Sequence, residues 1–382
     1  QKLSGQVAFA LADAKTGQWL ECENEQEGTP PASVTKAVTA LYALEVLGAG
    51  HRFETQIAVT GGIKDGEVQG DILLIGGGDP TLDTNTLADL AAQLKAAGVH
   101  GVKGGLKVYE GSLPVLPQID PAQPDHVGYN PAVTGIALNF NRVHFEWKRA
   151  SGKYTVTMDG RSEKYRPDVT FATMRIEDRA APVYTYRSQV GRDRWTVARK
   201  ALGGGGARWL PVRKPGLYAG EVFATLAGAH GIKLGKPEVI EVLPVHEVIV
   251  LHESGELRNI LRDMLRFSTN LTAEMVGLAA TQKRVGSVKD LRASAAEMNS
   301  WATSALGMNA PKLVDHSGLG DDSTLTALDM TRALLAVRDA EFRAILKRFG
   351  FRDAKGRPIK DQAILVNAKT GTLNFVSTLA GY

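Results

Sequence analysis

Two adjacent prolines, Pro30 and Pro31, set the start of the first helix of this chain. Proline ends a helix that precedes it, but it fits the first turn of a helix that follows. Ser33 falls in that first turn, and Lys36 lies one helical turn further on. The segment therefore predicts a core helix that carries Ser33 and Lys36 on one face. The apolar residues that support it recur at helical spacing: Val34, Val38, Leu41 and Leu44.

A serine and a lysine at this spacing form a candidate nucleophile and base. A serine hydroxyl is a poor nucleophile until a neighbouring base accepts its proton. A lysine that is desolvated, or held near another cation, loses its own proton more easily and becomes such a base. The alternative interpretation is a serine that caps the helix beside a solvated lysine. Because so short a pattern also arises by chance, other parts of the chain have to decide.

Composition excludes several classes of protein. A chain of 382 residues exceeds one ordinary core, so we expect about two or three domains. The net charge is only +4, and no basic tract carries interleaved aromatic residues, so no nucleic-acid partner is predicted. No apolar run approaches the ~18 residues of a transmembrane segment. Neither metal-ligand motifs nor a nucleotide fingerprint occur, so no cofactor is predicted. Cys22 is the single cysteine, which excludes an intrachain disulfide.

Changes in composition along the chain predict three domains. The middle of the chain is rich in turns of glycine and aspartate, and its central part is more polar, with short alternating strands. The run from Gly203 to Gly206 predicts a flexible join. The predicted domains are a catalytic domain of residues 1–60 and 248–382, an inserted domain of 61–147 and 208–247, and a smaller nested domain of 148–207.

Two further motifs follow Ser33 in chain order. Ser268-Thr269-Asn270 comes after a helix with a strong apolar stripe, and if it is extended its first and last side chains point to one side. Lys369-Thr370-Gly371-Thr372 interrupts a C-terminal strand, where glycine needs a reason such as a close approach. Plainer interpretations are a polar link between helices and an edge strand protected by its lysine. An earlier Lys15-Thr16-Gly17 lies in a hairpin turn before Ser33, so order and context favour the later copy.

With these motifs in this order, the chain resembles the class C low-molecular-mass penicillin-binding proteins, the D-alanyl-D-alanine carboxypeptidase/endopeptidase family. The resemblance covers nearly the whole chain, including the long insertion between Ser33 and Ser268. It implies an α/β (α+β) serine transpeptidase-like domain, with an antiparallel sheet flanked by helices and two mainly β inserted domains. Shorter stretches also resemble the family: Gly77-Gly78-Asp79-Pro80-Thr81-Leu82, Leu138-Asn139-Phe140-Asn141 and Asp315-His316-Ser317-Gly318-Leu319.

The resemblance implies a catalytic role for five residues. Ser33 attacks a carbonyl and is acylated, while Lys36 accepts its proton. Ser268 relays a proton to the leaving amine, and Asn270 holds the substrate amide. Lys369 supplies positive charge beside Ser268.

It also implies a set of substrate-binding groups. Thr370 bonds a substrate carboxylate, and Gly371 lets the substrate lie along the strand as an added strand. The backbone N–H groups of Ser33 and Thr372 form the oxyanion hole. Asp125, which precedes a Gly-Tyr-Asn-Pro turn, is a candidate contact for a substrate side chain, and a solvated loop carboxylate is the alternative.

The family further implies an exported enzyme, periplasmic or otherwise extracytoplasmic. Its partners are peptidoglycan stem peptides and β-lactam antibiotics, which acylate the serine. Two motifs depart from the family pattern: Thr269 stands where the family often has aspartate, and Gly320-Asp321-Asp322 stands where it often has an arginine. The second departure removes the reason to expect a preference for acidic substrate side chains.

Other interpretations remain open at this point. A β-lactamase or esterase would use the same framework, and a wall-binding protein would use it without catalysis. A Ser-His-Asp triad with His316 and Asp315 is not predicted, because Lys36 already serves Ser33 and a turn role is the default for Asp315. The sequence separates neither carboxypeptidase from endopeptidase nor monomer from oligomer.

Overall fold

The computed structural model describes residues 5–337, 340–359 and 363–382. The chain divides into two compact units. We call Gln1–His51 together with Glu256–Tyr382 the motif unit, and Arg52–Gly255 the insert unit. The insert unit thus interrupts the motif unit between its first helix and the helix that begins at Leu257.

Helices and strands are distributed over both units. The helices are α1 (Thr35–Leu47), α2 (Thr84–Ala96), α3 (Pro215–Ala229), α4 (Leu257–Phe267), α5 (Asn270–Val285), α6 (Leu291–Leu306), α7 (Ala327–Ala336) and α8 (Ala340–Ile345). The strands are β1 (Phe9–Ala12), β2 (Trp19–Glu23), β3 (Glu54–Val59), β4 (Ile63–Lys64), β5 (Glu67–Val68), β6 (Ile72–Gly76), β7 (Gly101–Val102), β8 (Leu106–Tyr109), β9 (Arg142–Ala150), β10 (Lys153–Asp159), β11 (Ala172–Glu177), β12 (Tyr184–Gln189), β13 (Arg192–Ala198), β14 (Gly205–Pro211), β15 (Glu238–Ile240), β16 (Glu247–Glu253), β17 (Lys347–Phe349), β18 (Val366–Leu373) and β19 (Val376–Gly381).

Helix α1 lies in the core of the motif unit. After Pro31 the chain forms a 3-10 turn over Ala32–Val34, and α1 follows at Thr35. The predicted helix is present, but Ser33 lies in the 3-10 turn just before it and not in its first turn. Every residue from Thr35 to Ala43 is buried, because α1 packs against α4, α5 and α6. A helix buried all round keeps water from its side chains. Lys36 lies within this stretch.

The sheet of the motif unit has the order β17-β18-β19 and is antiparallel. Strand β18 pairs with β19 from Ala368 to Leu373, and Gly371 lies opposite Thr378. Strand β17 pairs with β18 only as far as Ala368. On the side away from β19, the edge of β18 from Lys369 onward therefore has no strand partner among the described residues.

The insert unit is built on a five-stranded sheet in the order β15-β8-β6-β3-β16. One apolar cluster runs from this sheet through α2 and α3 to β9 and β13, where Phe145 and Trp195 are buried. The division into compact units keeps residues 148–207 within the insert unit. The separate nested domain over 148–207 stays a prediction.

The flexible join predicted over Gly203 to Gly206 is wrong for its second half. Gly205 and Gly206 begin β14, which pairs with β9 in antiparallel register. A Cβ on Gly206 would lie 2.5 Å from Cζ2 of Trp147. Glycine occurs here because the indole ring packs directly on the backbone.

No helix that the structure describes has the length and apolarity of a membrane span. Within the same residue ranges, no three histidine, cysteine, aspartate or glutamate side chains cluster as metal ligands.

Candidate active site

Residues of the three motifs lie within hydrogen-bonding distance of one another in the motif unit. Lys36 Nζ donates a hydrogen bond to Ser33 Oγ at 3.0 Å and another to Asn270 Oδ1 at 2.8 Å. Lys369 Nζ donates to Ser268 Oγ at 2.9 Å. The first motif is thus connected to the second through Lys36, and the third to the second through Lys369.

Lys36 is fully buried, and its amine has three acceptors. Besides Ser33 and Asn270, the backbone carbonyl of Ser317 accepts from Lys36 Nζ at 2.7 Å. Three acceptors match the three protons of an ammonium group. A neutral amine has two N–H groups and one lone pair. If these two N–H groups donate to Asn270 and Ser317, the lone pair is directed at Ser33 Oγ.

The surroundings favour that neutral amine. Burial lowers the pKa of Lys36 to about 7, and the positive charge of Lys369 acts in the same direction. The carboxyl groups of Glu274 and Asp315 oppose this shift, but the loss of hydration dominates. Near neutral pH the site therefore holds a substantial fraction of Lys36 as a base beside Ser33.

The chain reaches Ser268 and Asn270 through a sharp change of direction, not as the extended segment considered from the sequence. Ser268 ends α4 in the left-handed conformation, with φ of 59°, Thr269 is extended, and Asn270 starts α5. A non-glycine residue in this region is strained, and such strained residues are enriched at active sites. The change of direction points the Ser268 hydroxyl to Lys369 and the Asn270 amide to Lys36.

Lys369 has 2% of its surface exposed, so it also lies in a dry environment. Burial lowers the pKa of Lys369 to about 8, and the charge of Lys347 on β17 contributes. Its ammonium also donates to the carbonyl of Thr370. Lys369 thus brings a positive charge and a proton donor to the Ser268 hydroxyl.

Gly371 allows β18 to approach the nucleophile closely. A Cβ at this position would lie 2.8 Å from the backbone nitrogen of Ser33 and 2.2 Å from Thr378 Oγ1. Both distances are too short for a side chain, so only glycine fits. Thr370 and Thr372, on either side, are exposed.

A turn from Asp315 to Gly320 completes the site and contributes the Ser317 carbonyl, to which the sequence analysis assigned no role. Asp315 accepts from the N–H groups of Gly318 and Gly320, which confirms its turn role. The ring nitrogens of His316 contact Ser294 Oγ and Met298 Sδ, and burial lowers the pKa of His316 to about 3. His316 is therefore neutral and belongs to the packing of the core.

Glu274 is a residue beside the site that sequence reasoning missed. It lies on α5, has no exposed surface and accepts from the N–H groups of His316 and Ser317. The available signal was an acidic residue four positions after Asn270 within an otherwise apolar helix face, which includes Leu271, Met275 and Leu278.

Asp125 lies in the insert unit, on the loop between β8 and the 3-10 turn at Leu138–Asn141. Its side chain is exposed. Arg213 orders the loop by donating to the backbone carbonyls of Asp125 at 3.2 Å and Asn130 at 2.6 Å. The contact between Asp125 and a substrate side chain stays a prediction.

Comparison with known proteins assigns the chain to a family. The D-Ala-D-Ala carboxypeptidase 3 (S13) family matches residues 1–382. The chain belongs to that family. A D-alanyl-D-alanine carboxypeptidase of Actinomadura sp. (strain R39) is 29% identical over the whole of this chain and 76% of its own length.

Solved structures show the same fold. Penicillin-binding protein 4 (DacB) of Haemophilus influenzae superimposes with a TM-score of 0.79 at 20% identity, over 99% of this chain and 87% of the other. A predatory peptidoglycan endopeptidase of Bdellovibrio bacteriovorus, Bd3459, gives a TM-score of 0.53 at 15% identity, over 98% and 81%.

The family resemblance and the fold class inferred from the three motifs are confirmed. The chain is a serine peptidase, a hydrolase of the D-Ala-D-Ala carboxypeptidase class. The roles of individual residues and the domain boundaries stay predictions.

Proposed function

We propose that this protein hydrolyses D-Ala-D-Ala-type bonds of peptidoglycan stem peptides through an acyl-enzyme on Ser33. The observation that carries the proposal is the fully buried Lys36 amine, which lies 3.0 Å from Ser33 Oγ and has a pKa of about 7. General bases work best when their pKa is near the working pH. The substrate class is supported by the family and by the names of its relatives.

Acylation begins when Ser33 Oγ attacks the carbonyl carbon of the scissile amide. The Oγ–H proton passes to neutral Lys36 Nζ, and the carbonyl oxygen becomes an oxyanion. Collapse of this intermediate breaks the C–N bond, and the leaving amine takes a proton that Lys36 supplies by way of the Ser268 hydroxyl. Lys369 holds that hydroxyl in place.

Deacylation uses the same groups in the reverse sense. A water molecule attacks the ester carbonyl and gives one proton to neutral Lys36. The ester C–O bond breaks, Ser33 Oγ recovers a proton from Lys36, and the carboxylic acid product leaves. Each turnover thus consumes one water and one amide, and returns the enzyme to its starting protonation state.

Substrate binding is supported by the edge of β18 that has no strand partner among the described residues. An extended peptide adds to the edge from Lys369 to Thr372, with Gly371 giving the space for close approach. The N–H groups of Ser33 and Thr372 receive the oxyanion. Asn270 holds the substrate amide, and the Thr370 hydroxyl bonds its terminal carboxylate.

β-Lactams are expected to acylate Ser33 as well, because their strained ring presents a reactive carbonyl bonded to nitrogen. The leaving nitrogen remains tethered to the acyl group, so we expect a long-lived adduct. Since assembled peptidoglycan lies outside the cytoplasmic membrane, we infer that the protein works outside the cytoplasm.

Mass spectrometry after incubation with benzylpenicillin tests the proposal. We expect one adduct, located on Ser33 by peptide mapping, and none in the S33A variant. No adduct on the native protein, or one on another residue, contradicts the proposal. Rapid release of hydrolysed penicillin would instead identify a β-lactamase.

A product assay on purified muropeptides then identifies the bond that is cut. Release of free D-alanine indicates a carboxypeptidase, and conversion of cross-linked dimers to monomers indicates an endopeptidase. If S33A retains the full biological effect of the native protein, the protein acts by binding alone.

A further inference from the structure

Glu274 is a buried carboxyl group that takes no direct part in the proposed reaction. Its Oε2 accepts the N–H of His316 at 3.0 Å, and its Oε1 accepts the N–H of Ser317 at 2.9 Å. Burial and the neighbouring Asp315 raise the pKa of Glu274 to about 8, whereas the two N–H bonds and the charge of Lys36 favour its ionised form. A buried charge is costly unless such bonds satisfy it, so this pair of bonds orders the turn strongly.

The turn held by Glu274 delivers one of the acceptors of Lys36. The carbonyl of Ser317, in the peptide unit next to the N–H that Glu274 binds, accepts from Lys36 Nζ at 2.7 Å. If this carbonyl moves, the neutral amine loses one of the two acceptors that orient its N–H groups. Its lone pair is then no longer held towards Ser33 Oγ.

Thr39 and Ser294 also hold this turn, but neither side chain carries a charge that would act on Lys36. Thr39 Oγ1 donates to the carbonyl of His316 at 2.7 Å, and Ser294 Oγ lies 2.7 Å from His316 Nε2. The charged groups that act on Lys36 are Lys369 from β18, Glu274 from α5 and Asp315 from the turn itself. Among the described residues, Glu274 alone combines a titratable carboxyl group near Lys36 with a direct bond from another element to the Ser317 backbone.

We propose that Glu274 is a positioning residue for acylation: it holds the Ser317 carbonyl against Lys36, so that the lone pair of the amine is directed at Ser33 Oγ. This inference rests on the proposed function. It assigns Glu274 no contact with the substrate.

Two substitutions separate the charge of Glu274 from its hydrogen bonds to the turn. In E274Q the amide has one acceptor oxygen, and its NH₂ group faces a backbone N–H, so one bond to the turn is lost together with the charge. In E274D the charge remains, but the side chain is shorter by one methylene and its hold on the turn weakens. The matched control is E45Q, which removes an exposed carboxylate of α1 whose contact is with Trp301 Nε1.

The measurement is the second-order rate of acylation by benzylpenicillin as a function of pH, with a thermal melt of each variant. We expect E274Q to lose about 100-fold in the plateau rate, the size of a small misplacement of a catalytic group. The acid limb of its pH profile, where the rate falls as the pH decreases, should move to lower pH. The reason is that the carboxylate that raises the pKa of Lys36 is gone. E274D should lower the plateau and leave the acid limb in place, and E45Q should change neither.

Wild-type plateau rates in folded E274Q and E274D overturn the inference. The inference is also overturned if the rate falls only in proportion to the loss of folded protein and the acid limb of E274Q stays in place. That result would show that Glu274 has only a structural role. If E274Q does not fold, the plateau of E274D decides. Failure of the native protein to form a Ser33 adduct is a different result, because it rejects the proposed function itself.

Discussion

Replacing Lys36 with arginine removes the proposed base and keeps the positive charge. The pKa of Lys36 is about 7. At that value about half of the molecules carry a neutral amine at pH 7, and about a tenth at pH 6. An unperturbed lysine would be neutral in about one molecule in a few thousand at pH 7, so the environment favours the neutral amine by ~5 kcal/mol. Arginine is not deprotonated in proteins and offers no lone pair to Ser33.

The assay is acylation by benzylpenicillin across the neutral pH range. Because only the neutral amine accepts the serine proton, the rate of the native protein should rise with pH, with a midpoint near the Lys36 pKa of about 7. K36R should lose about 100- to 10,000-fold in rate, the usual contribution of a general base. It should also lack the acid limb near neutrality. A thermal melt of K36R separates loss of the base from loss of the fold.

Two results would refute this reasoning. One is a native rate that does not change with pH through the neutral range. The other is a folded K36R variant that acylates at close to the native rate, because a guanidinium cannot act as the base.

Three further predictions follow from the same site. Gly371→Ala should reduce the rate of acylation by about 100-fold or more, since a Cβ there would lie 2.8 Å from the backbone nitrogen of Ser33. The control is Gly50→Ala, because a Cβ on Gly50 would have no atom within 4 Å. A G371A variant that is acylated at the native rate contradicts the close approach of β18. Lys369→Met should move the acid limb of the acylation profile to higher pH, because the charge of Lys369 lowers the pKa of Lys36; an unmoved limb shows that the two amines do not interact. Asp125→Ala should raise KM for a stem peptide that carries a side-chain amine and leave acylation by benzylpenicillin unchanged; no change with the peptide argues against a contact.

Much of the fold and of the site was predictable because the signals are local. The prolines before Ser33 and the apolar spacing after it are enough to predict helix α1, although it starts two residues after Ser33. The lysine and glycine within a C-terminal strand predicted a special role for β18, where Gly371 approaches the Ser33 nitrogen. The order of the motifs identified the family, which the comparison confirmed.

Other features could not be predicted because they depend on several distant segments. The left-handed conformation of Ser268 is strained, and no local preference of serine favours it. It occurs where α4 packs against α5 and where Lys369 of β18 donates a hydrogen bond to the Ser268 hydroxyl. The local sequence predicts a flexible join at Gly206, because nothing near it in the chain indicates the contact with Trp147 on another strand. Glu274 gave only the weak signal of an acidic residue on an apolar helix face.

The sequence by itself determined which groups are available: a serine with a lysine one turn away, a second serine with an asparagine, and a lysine before a glycine in a strand. Only the tertiary structure decided what these groups are chemically. Lys36 has a pKa near neutrality because α4, α5 and α6 exclude water from α1, and because β18 brings a second cation near it. Hydration and Coulomb energy depend on distance in space, and the spacing of residues along the chain does not contain that distance.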